Sequence, residues 1–320
     1  MIDIYTLKKD TIEKLDLDAI DSLKRQRRLF WTRVFNPSDE EFEKITDLLS
    51  FDEDDKEELK DFFTESDRPR LSKEEFIEII YSAPYSEDGE IKTESIAIYI
   101  KNNLLVTFER KRMPVFEKIA SKAQKSKNTY LFKKKNAEFI AEIIDRINDD
   151  FLVYVNRIAN RTDILSSKTM QLSEKQIEAI SSASTTLAFF NQSILANIEV
   201  LNGLRKIHYK GFTADDRERF RDLYGDGLQI LDTEKVQREV IMNIFNMQSI
   251  ISANRINAFM KKLTSLALIV MIPTLITGIY GMNINGLPFS NTPYSFYGLI
   301  GFLVLITGII YLIFKKVNWV

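Results

Sequence analysis

Leu263 to Tyr280 reads LTSLALIVMIPTLITGIY, and the chain continues Gly281-Met282-Asn283. That run holds no charge. An uncharged eleven-residue stretch, Ile284 to Tyr294, leads to a second charge-free run, SFYGLIGFLVLITGIIYLIF, from Ser295 to Phe314. A helix needs about 20 apolar residues to cross a hydrocarbon core of roughly 30 Å, so both runs read as membrane spans. A buried helical hairpin is the alternative, but adjacent charge-free runs of this length are rare in soluble cores. Lys261-Lys262 precede the first span, Lys315-Lys316 follow the second, and no Lys or Arg lies between them. The positive-inside bias therefore predicts both termini in the cytoplasm and the loop outside. Met1-Ile2-Asp3-Ile4-Tyr5 has no basic segment leading into an apolar one, so no signal peptide is expected.

Outward from the spans, the first 262 residues read as water-soluble. The whole chain has 320 residues, 28% charged and 45% hydrophobic, with a net charge of −2. Cysteine is absent and His208 is the only histidine, which excludes Cys/His zinc sites and catalysis by cysteine or several histidines. Any metal handled here is held by oxygen, which suits hard cations such as magnesium. No Gly-x-x-x-x-Gly-Lys-[Ser/Thr] loop occurs, so ATP-driven chemistry is not indicated. His208, within Arg205-Lys206-Ile207-His208-Tyr209, reads as a surface or packing residue.

Residues 1–130 alternate strand-like and helix-like segments, predicting a mixed α/β domain. Arg28 to Phe35, Phe76 to Tyr81, Ser95 to Ile100 and Leu104 to Phe108 read as strands. Pro84 and Asp88-Gly89 read as breakers. Ser38 with Glu41 forms a capping-box signal for a helix through Leu49, and an acidic helix follows Asp52. Fourteen acids against three lysines lie between Asn36 and Asp67. Asp52-Glu53-Asp54-Asp55 lacks the glycine and terminal glutamate spacing of an EF-hand. A solvated acidic face is the plainer reading of this region, and loose attraction of cytoplasmic divalent cations the functional one. Lys118 to Lys135 reads as a solvated connector, because no nucleic-acid motif accompanies it. Residues 131–262 read as a helical stalk or funnel, interrupted at Gly203, Gly211 and Gly225/Gly227. From Leu228 toward Met282 a single helix of about 80 Å is expected at 1.5 Å per residue. The membrane region spans 263–314, with a first helix over 263–282, a loop over 284–294 and a second helix over 295–314. Residues 315–320 form a basic tail.

Ala253, Asn257, Met260, Thr264, Ala267, Met271, Thr274, Gly278 and Gly281 recur at alternating steps of four and three, the spacing of helices packed about a common axis. The face carries small, hydroxyl, amide and thioether groups. Two readings fit it: tight packing of small residues between membrane helices, or a pore wall constricted at Met260 and Met271. Asn257 at its inner end and Asn283 at its outer end favour the pore. Pro273 removes one helix hydrogen bond, which Thr274 or Thr277 can help compensate.

Tyr280-Gly281-Met282-Asn283 after one span, a short loop, a second span and a terminal Lys-Lys-x-x-Trp together closely resemble the CorA family of divalent-cation channels. Their signature is a GMN tripeptide at the outer pore mouth. The resemblance covers the whole layout, with specific matches concentrated in the last third. It implies a homopentameric, passive Mg²⁺ channel in the plasma membrane, with an α/β cytoplasmic domain, a helical funnel and two C-terminal transmembrane helices per subunit. It further implies that Gly281, Met282 and Asn283 form the selectivity ring and that Mg²⁺ is both transported and regulatory, while the periodic face assigns Asn257, Met260, Thr264, Ala267, Met271, Thr274 and Gly278 to the pore wall. Aligning Arg68-Pro69-Arg70 and Arg221-Asp222-Leu223-Tyr224 with family segments brings Asp88 and Asp222 to the two halves of an inter-subunit regulatory site. Co²⁺ and Ni²⁺ are further candidate ions, and no nucleic acid is expected. Two departures stand out: the outer loop has no acid, and Asn246 lies where some relatives carry one. Met282 favours magnesium, since zinc-transporting relatives tend to replace it. The rivals are the same fold moving zinc, cobalt or nickel, and a non-conducting membrane scaffold.

Overall fold

The computed structural model describes residues 1–8, 11–15, 29–64, 67–73, 75–125, 135–167, 172–209, 211–283, 286–288 and 293–319. Packing divides the chain into two units, Met1–Met242 and Asn243–Val320.

The first unit is built on a seven-stranded sheet. Its strands are β1 (Ile2–Lys8), β2 (Thr11–Leu15), β3 (Phe30–Phe35), β4 (Arg70–Lys73), β5 (Ile77–Glu87), β6 (Glu90–Lys101) and β7 (Leu104–Glu109), in the order β2-β1-β3-β7-β6-β5-β4. Only β3 and β7 pair in parallel, with Trp31 opposite Leu105 and Phe35 opposite Glu109. Parallel neighbours need a long crossover. Here it carries α1 (Asp39–Leu49), α2 (Glu53–Thr64) and β4 to β6. One sheet face receives α1 and α2, whose Phe42, Ile45, Leu49, Leu59 and Phe62 pack on Val34, Ile80, Val106 and Phe108. Trp31, pointing the opposite way on β3, packs against Phe116 of α3 (Pro114–Lys125) and Phe139 of α4 (Asn136–Ser167), at 6.1 and 5.6 Å between rings. With both faces covered, β3 is buried at every residue from Phe30 to Val34 rather than alternating, as buried strands are.

The capping box forms as expected. The Glu41 N–H donates to Ser38 Oγ at 3.3 Å, and the Ser38 N–H donates to Glu41 Oε2 at 2.9 Å. The Asp52–Asp55 run is also a helix cap: each residue's N–H donates to the other's carboxylate, at 3.1 and 2.9 Å. These acids satisfy helix-start donors and complement the dipole of α2.

Three expectations need correction. Pro84 does not break β5. Ser82 N–H points away from β6, donating to Asn197 Oδ1 at 2.8 Å, and Pro84 shares its parity. β4 covers β5 only from Ile77 to Ile80, so the N–H that proline lacks falls on an edge with no strand partner. Asp88-Gly89 is a break, in the form of a two-residue hairpin turn with φ of 52° and 83°. Gly225 and Gly227 do not interrupt the helix: α6 runs unbroken from Ala214 to Tyr280. Gly227 serves a close approach instead, since a Cβ there would lie 3.2 Å from Ile198 Cγ1 of α5 (Glu174–Leu204). The lysine-rich stretch is helical to Lys125, with Phe116 and Ile119 fully buried; 126–134 lie outside the described residues, as does Arg28.

The second unit holds the C-terminal part of α6 and α7 (Ser295–Lys316), both long and apolar enough to cross a membrane. Leu266, Val270, Leu275, Leu305 and Leu312 are all exposed in the single chain. In the helical hairpin of a soluble core these side chains would be buried.

α7 ends in a Schellman motif. Trp319 N–H donates to Phe314 O at 2.9 Å, Asn318 N–H donates to Lys315 O at 3.2 Å, and Asn318 takes φ 57°. The accompanying apolar contact is the Trp319 ring stacked on Phe314 at 5.7 Å. The turn carries the Trp319 carbonyl back to Ser265 of α6, whose hydroxyl lies 3.3 Å away and is fully buried.

Candidate ion-conduction and regulatory sites

Helix α6 closes at the tripeptide. Gly281 N–H donates to Thr277 O at 2.9 Å and Met282 N–H donates to Ile279 O at 3.2 Å. Gly281 is not in the left-handed region; a Cβ there would crowd the Thr277 carbonyl oxygen at 3.3 Å and touch that of Gly278 at 3.5 Å. Glycine thus leaves the carbonyls at the helix end unshielded. Met282 and Asn283 are both exposed. Tyr280 OH donates to Pro288 O at 3.3 Å, holding the loop against the helix end. Ile284 and Asn285 lie outside the described residues.

Below the tripeptide, Ala267, Met271, Thr274, Gly278 and Met282 line one shallow apolar groove on α6, with Val270, Leu275 and Ile279 at its edges. Asn257, Met260 and Thr264 line a second, more polar cleft one to three turns nearer the N-terminal end of this unit, together with Asn254, Lys261 and Trp319. The geometry therefore groups the periodic stripe into two stretches. Thr274 Oγ1 donates to Val270 O at 2.7 Å and Thr277 Oγ1 to Thr274 O at 3.0 Å. Val270 lies one residue from the Ile269 carbonyl whose helical partner Pro273 cannot supply, so these hydroxyls add bonds around the weakened turn.

Asp88 sits exposed at the tip of the β5–β6 hairpin, and Asp222 is exposed on α6. No hydrogen bond or ion pair links them among the described residues. Asp222 belongs instead to a run of acids facing one another across two helices. Burial and the nearby Asp222 and Asp149 carboxylates raise the Asp226 carboxyl above its ordinary range. Burial, Asp149, Glu142 and Asp226 do the same for Asp145, with Arg146 opposing. Among the described residues no group of three or more Asp, Glu or His side chains is arranged to hold a metal ion within one chain. A Mg²⁺ that keeps most of its water needs only one or two carboxylates. Asp88 and Asp222 are each exposed and are not brought together within one chain.

The aligned Arg68-Pro69-Arg70 segment has a structural role that sequence reading missed. Arg70 makes a bidentate pair with buried Glu78 at 3.1 and 3.0 Å and also binds Asp67 and Glu58, both at 2.7 Å. Tyr99 OH donates to Glu78 at 2.7 Å. Burial and Glu78 push the Tyr99 phenol well above its usual value. This network ties β4 to β5 and β6.

Residues 26–316 match the family model described as CorA-like Mg2+ transporter protein. The chain is 31% identical over 323 residues to the cobalt/magnesium transport protein CorA of Methanocaldococcus jannaschii, with all of both chains covered. It is 25% identical over 266 residues to the protein of the same name from Thermotoga maritima, covering 82% of this chain and 75% of that one. The complete structure of the CorA magnesium transporter from M. jannaschii superposes with a TM-score of 0.87 at 28% identity, covering 100% of this chain and 99% of that one. The likeness extends over the sheet domain and both apolar helices alike, and the chain belongs to the CorA-like Mg²⁺ transporter family.

Proposed function

We propose that this chain forms a passive magnesium channel of the cell membrane: a ring of copies, five by family resemblance, that selects hydrated Mg²⁺ at Gly281–Met282–Asn283. The observation carrying this reading is the exposed Asn283 carboxamide at the end of α6, beside helix-end carbonyls that Gly281 leaves unshielded. Magnesium dehydrates reluctantly, and neutral oxygens accept hydrogen bonds from its water shell without stripping it. Residues 1–130 form the α/β part, 131–262 the stalk or funnel, 263–314 the membrane region and 315–320 the basic tail. Asn257, Met260, Thr264, Ala267, Met271, Thr274 and Gly278 line the pore, with the methionines as constrictions that close by dewetting. Both termini face the cytoplasm.

An inside-negative potential drives entry, contributing about 2.3 kcal/mol per charge per 100 mV and roughly twice that for Mg²⁺. Proteoliposomes holding the purified chain are expected to take up Mg²⁺ without ATP, faster as the imposed potential grows. Uptake that ignores the potential would overturn passive conduction, and absent uptake would favour a scaffold. Cobalt is the second expected ion, because the names of two relatives couple it with magnesium.

Cytoplasmic Mg²⁺ bridges Asp88 of one copy and Asp222 of the next, favouring the closed form. Released, these acids repel and the population shifts toward open. Asp222 also adds to the repulsion at Asp226, so the region gains from a bound cation. Asp222→Ala is expected to leave flux at low internal Mg²⁺ unchanged and to raise flux several-fold at millimolar internal Mg²⁺, since the coupling between a regulatory ion and the pore is typically about 1–3 kcal/mol. Inhibition identical to that of the natural chain would remove Asp222 from sensing.

A further inference from the structure

The second unit has an unusual charge composition. From Asn243 to Val320 its side chains include five cations, Arg255, Lys261, Lys262, Lys315 and Lys316, and no Asp or Glu. All five lie near the inner ends of the two apolar helices. Among the described residues neither Lys261 nor Lys262 makes an ion pair.

The Schellman turn closing α7 gives these charges a shaped setting. By turning the chain back onto Ser265, it brings Asn318 and Trp319 to the cleft that Lys261, Lys262 and Asn254 of α6 also line, which is of mixed character and more polar than the groove below the tripeptide. Two ammonium groups, carboxamide donors and an indole line it, and no Asp or Glu does among the described residues. We propose that this cleft seats the phosphate headgroup of an anionic phospholipid of the inner leaflet. Lys261 and Lys262 supply the charge, the Asn254 and Asn318 amides supply directional donors, and Trp319 sits where indoles favour the boundary between headgroups and acyl chains.

Charge complementarity selects this occupant. A lipid phosphate at the membrane surface neutralises the lysines where they stand, without burying an unpaired charge. The far rim of the cleft is Asn257, Met260 and Thr264. A bound headgroup therefore lies beside the inner end of the proposed pore face, and its occupancy biases that end. The membrane orientation it needs rests on the reading under Proposed function; the headgroup site does not need the channel to conduct.

The chain carries its own probe. It has two tryptophans, and Trp31 is fully buried against the sheet, leaving Trp319 to report on lipid. The full chain is reconstituted in phosphatidylcholine vesicles containing increasing fractions of brominated phosphatidylglycerol or, separately, brominated phosphatidylcholine. Trp319 emission is expected to be quenched at a much lower fraction of the anionic lipid. Lys261→Gln/Lys262→Gln is expected to move half-quenching to higher fractions by roughly fivefold per lysine removed. Lys315→Gln/Lys316→Gln removes the same charge outside the cleft and is expected to retain most of the preference.

Equal quenching by both lipids would overturn the site. Equal loss in the two double variants would also overturn it, replacing a cleft with diffuse attraction. Millimolar inorganic phosphate relieving the quenching as well as unbrominated anionic lipid does would assign the site to a free anion instead. Mg²⁺ uptake by the same vesicles reports separately on conduction, so a failed channel and a failed lipid site give different results.

Discussion

Asn283→Ala is expected to reduce Mg²⁺ influx into proteoliposomes by at least about 100-fold while the protein still inserts and assembles. Hydrogen bonds involving charged partners contribute about 1.5–3 kcal/mol each, so losing two from the ring already accounts for that factor. Asn283 is exposed beyond the end of α6 and packs in no core, so the change should leave folding intact. Asn283→Asp keeps the acceptor oxygens and adds charge; it should conduct, with altered preference among divalent ions. Flux unchanged in Asn283→Ala would move selectivity elsewhere on the face, with Thr274 and Gly278 next in line.

The second large effect is on stability. Glu109 ends β7, is fully buried, and pairs through Oε1 with the Arg33 Nε of β3, while its Oε2 accepts the Met113 N–H at 2.8 Å just before α3. Arg33 also reaches Glu117 in the first turn of α3 at 2.9 Å. One buried carboxylate therefore holds the parallel β3–β7 pair and the start of a helix together. Glu109→Ala leaves a buried guanidinium with a single half-exposed partner and an unpaired backbone N–H. Removing one partner of a buried pair costs about 3–5 kcal/mol. Thermal unfolding followed through Trp31, which stacks on Tyr5 at 5.1 Å, should register that loss. Arg33→Met/Glu109→Leu removes both charges and should recover much of it, because desolvation of the pair is then avoided. A double variant as unstable as Glu109→Ala would show that the Met113 cap, not the charge pair, carries the effect.

The legible parts of this protein were those set by local chemistry. Charge-free runs of sufficient length mark the apolar helices, because no ion is left unpaired in hydrocarbon at Leu263–Tyr280 or Ser295–Phe314. Ser38 and Glu41 mark a helix start because the two residues satisfy each other's donors three positions apart. Asp88-Gly89 marks a break between strands because both residues tolerate positive φ.

Where a residue's partner lies far along the chain, local reading went astray or stayed silent. Pro84 reads as a breaker, and only the sheet order shows that its missing N–H meets no strand. Gly225 and Gly227 read as interruptions, and only the nearness of Ile198 shows Gly227 serving packing within a helix. The side chain of Asn197 stands in for a strand at Ser82 across 115 positions, which no periodicity announces. The terminal Lys-Lys-x-x-Trp was legible as a motif, but its Asn318 at the left-handed position is what turns it into a hook on Ser265. By itself the sequence determined which segments are apolar, where helices begin, and the oxygen-only chemistry of any metal site, since those follow from residue type and short spacing. The tertiary structure decided the sheet order, the Arg33–Glu109 clamp and the cleft beneath Trp319, because each depends on groups brought together from distant positions by burial.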